Sequence, residues 1–90
     1  MFEDIDFSPG FVAYDGTAFL DQEDIFQVRY KDKVNLTLDV GWYAKEFVVV
    51  VIKNYDWENP LIEKRCVDVD KLYVLVRECA EYIRNILNLK

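Results

Sequence analysis

The 90-residue chain contains no histidine, which removes the commonest general base and the commonest metal ligand from any account of it. With three glycines, it has neither a Gly-rich phosphate cradle nor a Gly-x-Ser-x-Gly nucleophile turn. Two prolines and no Gly/Ser/Pro-rich stretch leave no linker, and nothing repeats. The two cysteines, Cys66 and Cys79, cannot supply four zinc ligands, and both are expected as small apolar side chains rather than as a disulfide. The longest apolar run, residues 47–52, is far shorter than the ~20 residues of a membrane-crossing helix. Met1-Phe2-Glu3-Asp4-Ile5-Asp6 is acidic where a secretory leader needs a basic stretch, so the expected location is cytoplasmic.

The most uneven absence is that of positive charge. Residues 1–25 hold seven acids (Glu3, Asp4, Asp6, Asp15, Asp21, Glu23 and Asp24) and no Lys or Arg. Residues 26–90 set the other ten acids against all eleven bases, so the net charge of -6 originates in the first segment. A region this one-sided projects a negative field that repels nucleic acid and attracts basic protein surfaces. The bases are scattered singly, with no stripe to follow a phosphate backbone, so direct nucleic-acid binding is not expected.

At 52% hydrophobic and 16% aromatic residues, the composition is that of a folded domain. Ser8-Pro9-Gly10 and Asp15-Gly16 are turn signals, and Asp-Gly between Phe11-Val12-Ala13-Tyr14 and Thr17-Ala18-Phe19-Leu20 predicts a short hairpin. Phe26, Val28 and Tyr30 then alternate with polar residues. After Lys31-Asp32-Lys33, the residues Val34, Leu36, Leu38, Val40 and Trp42 alternate with Asn35, Thr37, Asp39 and Gly41. That period of two predicts strands with one buried and one wet face. Ala44-Lys45-Glu46 turns the chain into the β-branched run 47–52, which suits a strand covered on both faces or one with a binding face. Residues 54–60 read as a loop and 61–67 as a last strand. Leu72, Leu75, Val76, Cys79, Ile83 and Ile86 recur at helical spacing. Asp68 is placed to cap that helix, Val67 to staple onto Leu72, and Arg84 and Lys90 to face its negative end. The expected fold is α+β: an antiparallel meander of four to five strands packed on a long C-terminal helix. It forms a single domain, with an acidic segment (1–25), a meander (26–67) and a helix (68–89).

No residue is assigned a catalytic role, and no cofactor or metal is expected. Asp21-Gln22-Glu23-Asp24 and Asp68-Val69-Asp70 lack the glycine and distal glutamate of a calcium loop, and capping accounts for the second. The aromatic residues Phe2, Phe7, Phe11, Tyr14 and Phe19, interleaved with the acids, are expected mostly to pack on the sheet and leave the carboxylates outward. Trp42 continues the buried face of its strand. Trp57, in Tyr55-Asp56-Trp57-Glu58, either folds back over the sheet edge or stands out as an interface anchor.

The stretch Leu36-Thr37-Leu38-Asp39-Val40-Gly41-Trp42-Tyr43, the turn Tyr55-Asp56-Trp57-Glu58-Asn59-Pro60 and the terminal helix resemble parts of bacterial toxin immunity proteins. The contact-dependent growth inhibition type comes first among them. The resemblance covers about half the chain and implies a role, not particular residues: one-to-one binding of a cognate toxin domain, commonly a nuclease. The charge pattern selects Tyr14, Asp15, Asp21, Glu23 and Asp24 as the partner-binding face, with Tyr55, Asp56, Trp57 and Glu58 as a second choice. A nucleic-acid mimic aimed at a host or defence nuclease, and a module that self-associates through a strand edge or through residues 47–52, are the competing expectations.

Overall fold

The structure is a computed structural model that describes residues 1–31 and 34–88. Asp32 and Lys33 of the expected turn, Leu89 at the expected helix end and Lys90 lie outside the described residues. Five strands form one antiparallel sheet in sequence order: β1 (Phe11–Asp15), β2 (Phe26–Tyr30), β3 (Leu36–Tyr43), β4 (Glu46–Lys53) and β5 (Ile62–Cys66). A single helix, α1 (Val69–Asn88), follows. The fold is α+β.

Register assigns each side chain to a face. Phe26, Val28 and Tyr30 stand beside Val40, Leu38 and Leu36, and these beside Val49, Val51 and Lys53. Together with Leu72, Leu75, Val76, Cys79, Ala80 and Ile83 of α1, the apolar residues of this set make the core. The helix crosses β3, β4 and β5. A helix is about 10 Å wide and strands lie about 4.8 Å apart, so one helix covers only part of a five-stranded sheet. Residues 1–10 cover the rest of that face. Phe2, Ile5 and Phe7 are buried, and the rings of Phe2 and Phe7 lie 4.8 and 5.4 Å from that of Phe26. This strap is tied to α1 by the Tyr73 hydroxyl, which donates to Asp4 at 2.9 Å, and by Arg84, which donates to the carbonyl of Asp6.

Several expectations change. Residues 17–20 form no strand. The Asp15 carboxylate accepts from the backbone N–H and the hydroxyl of Thr17, Phe19 N–H donates to Gly16, and β1 pairs with the alternating β2 instead. Asp68 caps α1, accepting the Asp70 N–H at 3.1 Å, but Val67 is 68% exposed and staples nothing. Strand alternation explains this: Cys66 turns toward the core, so Val67 turns away. Arg84 serves the strap, and the described last turn of α1 carries no base. Both cysteines are free, Cys79 buried and Cys66 half-buried. Burial pushes the Cys79 thiol up to about 11. Trp42 is half-buried against the core, edge-on to Phe47. The β3–β4 turn runs through Ala44 and Lys45 at φ 51° and 67°, a left-handed pair that suits a two-residue hairpin.

Candidate partner-binding site

Among the described residues, no helix packs on the sheet face away from α1. Across it, register sets Tyr14 beside Gln27, Gln27 beside Asp39 and Asp39 beside Val50. Tyr14 reaches this row because of an irregularity in β1. Val12 pairs with Val28 and Tyr14 with Gln27, so Ala13 is an extra residue. Without that bulge, Tyr14 would point to the helix side; with it, Phe11 and Tyr14 share the open face. The same step turns Asp15 the other way, opposite Phe26, where it lines a 240 Å³ depression with Phe2, Glu3 and Val12.

Residues 21–24 fold against the end of β3. Trp42 N–H donates to the Gln22 carbonyl and Ile25 N–H to that of Val40, both at 3.0 Å. Gly41 makes the approach possible, because a Cβ there would sit 2.3 Å from the Glu23 carbonyl oxygen and 2.6 Å from the Tyr43 ring. The result is a 390 Å³ depression lined by Tyr14, Asp21, Gln22, Glu23 and Asp24. No Lys or Arg lines it.

Beside it lies a second cavity of about 270 Å³, lined by Tyr14, Asp24, Gln27 and Asp39. Asp39 was expected on a wet face, yet it is 9% exposed, and its neighbour Thr37 is 2% exposed. Arg29 donates through Nε to Gln27 at 2.8 Å, which orients the amide so that Gln27 Nε2 donates to Asp39 Oδ1 at 3.0 Å. Burial pushes the Asp39 carboxyl up to about 6; the Gln27 bond opposes the shift, and the charge of Asp24 adds to it. The Tyr43 hydroxyl is also raised, first by burial and then by Asp39, Asp24 and Glu23. Among the described residues, no group of three or more Cys, Asp or Glu side chains could hold a metal ion.

The expected face therefore separates. Tyr14, Asp21, Glu23 and Asp24 come together, whereas Asp15 lies on the helix side and is held by Thr17. Tyr55, Asp56, Trp57 and Glu58 sit at the far end of the sheet, where Asn54 N–H donates to Asn35. From there to Trp42 is seven strand steps, roughly 20 Å. Trp57 does not fold back: it and Tyr55 are each 52% exposed, and Asn59 is bonded to the Asp56 carboxylate. The interleaved aromatics also divide. Phe2 and Phe7 are buried, but Phe11, Tyr14 and Phe19 stay 49%, 49% and 69% exposed, because β1 is an edge strand with nothing packed beyond it. Val48 and Ile52 are buried and Val50 is half-buried, so the open side of the 47–52 run presents little apolar surface. The residues that sequence reasoning passed over are Gln27, Asp39, Gly41 and Tyr43. Asp39 did carry a signal, since aspartate is disfavoured in mid-strand and needs a reason to be there.

Among the described residues, no helix is long and apolar enough to cross a membrane. Compared with known proteins, the chain matches no family model, no curated protein and no solved structure.

Proposed function

We propose that the chain is a toxin-neutralising immunity protein with no reaction of its own. It binds one copy of a basic toxin domain, a nuclease, in the cytoplasm. The observation that carries this reading is the depression formed by Tyr14, Asp21, Gln22, Glu23 and Asp24, where three exposed carboxylates meet an exposed aromatic ring and no base. A nuclease site is basic because it receives phosphates, so this surface suits steering into it. Complementarity of that kind raises association rates to ~10⁸–10⁹ M⁻¹s⁻¹ at low salt. The aromatic ring supplies desolvated contact area of the sort that anchors interfaces. The nucleic-acid mimic shares this surface and differs only in its partner.

The test is calorimetry at low and high salt against the C-terminal domain of the protein encoded immediately upstream. Tight one-to-one binding that weakens with salt is expected. Replacing Asp21, Glu23 and Asp24 by Asn, Gln and Asn should cost about 3 kcal/mol, roughly a hundredfold in Kd, while thermal unfolding stays cooperative. Unchanged affinity in that variant would remove the depression from the interface.

A further inference from the structure

The Tyr14–Asp24–Gln27–Asp39 cavity has a construction that the exposed rim lacks. Its floor is a carboxylate that is nine-tenths buried, and its only hydrogen bond among the described residues is the one from Gln27 to Oδ1. Among the described residues Oδ2 has neither a donor nor an ion-pair partner, and it is not fully enclosed, so it opens onto solvent. The carboxylate therefore keeps an oxygen free to accept from a charged donor that enters the cavity. The Gln27 amide is bonded to Oδ1 only, and its oxygen accepts from Arg29. Asp24 brings a second carboxylate to the mouth, and Tyr14 forms an aromatic wall. A metal ion does not suit the place, since the described acids do not group closely enough to ligate one. At about 270 Å³ the cavity has the volume of about nine water molecules, ample for the end of one side chain.

We infer that this cavity is the seat for a single arginine side chain of the basic partner, with the guanidinium donating to Asp39 Oδ2 and to Asp24 and its plane lying against the Tyr14 ring. This inference rests on the partner reading above and specifies what the partner presents. Arginine fits better than lysine on three counts. Its planar fork serves two acceptors at once, it stacks on aromatic rings, and it sheds water more readily than an ammonium on entering a half-enclosed site. Next to the cavity, the Tyr43 hydroxyl is raised first by burial and then by the charges of Asp39, Asp24 and Glu23, so these acids act on one neighbourhood.

Two probes of one shape separate charge from fit: N-acetyl-arginine amide and its neutral isostere N-acetyl-citrulline amide. Each is titrated into ¹⁵N-labelled protein at pH 7.5. The expected result is saturable shifts of the Tyr14, Asp24, Gln27 and Asp39 amides with arginine, and at least tenfold weaker binding of citrulline. Asp39→Asn keeps an acceptor for Gln27 and should lower arginine affinity at least tenfold. Asp24→Asn, in an exposed loop, should lower it about threefold and remains readable if Asp39→Asn fails to fold. Equal binding of the two probes, or arginine shifts centred elsewhere, would overturn the seat. Full toxin-domain affinity in Asp39→Asn would overturn it while leaving the immunity reading intact. Arginine binding at the cavity without any toxin-domain binding would do the reverse.

Discussion

Asp4, Asp6 and Asp15 on the helix side and Asp21, Glu23, Asp24 and Asp39 on the other side belong to one acidic surface by charge, but differ in what they touch. Asp4 accepts from Tyr73, Asp6 from the N–H and hydroxyl of Ser8, and Asp15 from the N–H and hydroxyl of Thr17. Hydrogen bonds from Ser8 and Thr17 hold Asp6 and Asp15 below the ordinary carboxylate range, and the chain's amino group does the same for Glu3. On the open face, Asp39 is pushed up, and the depression beside it contains no base. Local donors stabilise the ionised form on one side; burial and like charge disfavour it on the other. Asp6 and Asp15 serve folding in their ionised form, whereas Asp39 is held where its charge costs folding. A cost of that kind is what a binding surface retains.

Phe7→Ala tests the folding side hardest. The ring is 9% exposed and packs on Phe26, so its loss leaves a cavity under the strap and should cost about 3–4 kcal/mol in urea unfolding. Toxin-domain affinity, measured where the variant is still folded, should change little. If affinity collapses in step with stability, the two sides are not separable.

The second test uses opposite pH slopes. Asp39 holds its proton up to about pH 6 when folded and to about 3.9 when unfolded, so the native state binds more protons between those values. The Asp39 contribution to stability therefore falls as pH rises from about 4 through about 6, by at most about 3 kcal/mol, and does not change further above that. Asp6 and Asp15 act the other way: their contribution is present above their unfolded values and is lost as pH falls through the lowered native ones. The groups facing Asp39 are Asp24 from the loop, Tyr14 from β1, Gln27 and Arg29 from β2, and Tyr43 on β3 itself. The wild-type chain should be most stable near pH 4–5. Asp39→Asn should hold that level up to pH 7.5 instead of losing it. A wild-type curve that still rises from pH 5 to 7 would remove Asp39 from its buried position.

Gly41→Ala acts at the join between the two sides. The added Cβ meets a backbone oxygen, so residues 22–24 must shift, at about 1–3 kcal/mol in stability. Partner affinity should fall with it, because the shifted atoms carry Glu23. Affinity at the wild-type level would show that the rim need not lie against β3.

Periodicity made the meander and the helix legible: Phe26, Val28 and Tyr30, the β3 alternation and the Leu72–Ile83 stripe all occupy the core. The β3–β4 turn was legible from Ala44-Lys45 breaking two strong patterns. The β1 pairing was not, because a partner eleven or more residues away competed with a nearby Asp-Gly, and a bulge follows from pairing rather than from residue type. The acid excess was visible as a total. Its division between strap and open face depends on Thr17, Ser8 and Tyr73 as donors, and on Ala13 as the extra residue that turns Tyr14 one way and Asp15 the other.

Tyr73→Phe is the gentlest way to sharpen the contrast. It deletes the hydroxyl that ties Asp4 to α1 and leaves the ring, beside which Arg77 stands 5.8 Å from the centroid. The bond is exposed, so water replaces much of it, and the cost in global stability should be small. Strap exchange is the more sensitive readout. Amide hydrogen exchange at residues 2–7 should quicken while that of β3 and β4 is unchanged, because the strap then relies on the packing of Phe2, Ile5 and Phe7 and on the Arg84 bond. Toxin-domain binding should be indifferent to that loosening, since the strap and the open-face cavities lie on opposite faces of the sheet. Any loss of affinity from a hydroxyl on the helix side would mean that the strap orders the rim through Asp15 and Gly16, whose N–H donates to Ile25 at the base of the acidic loop.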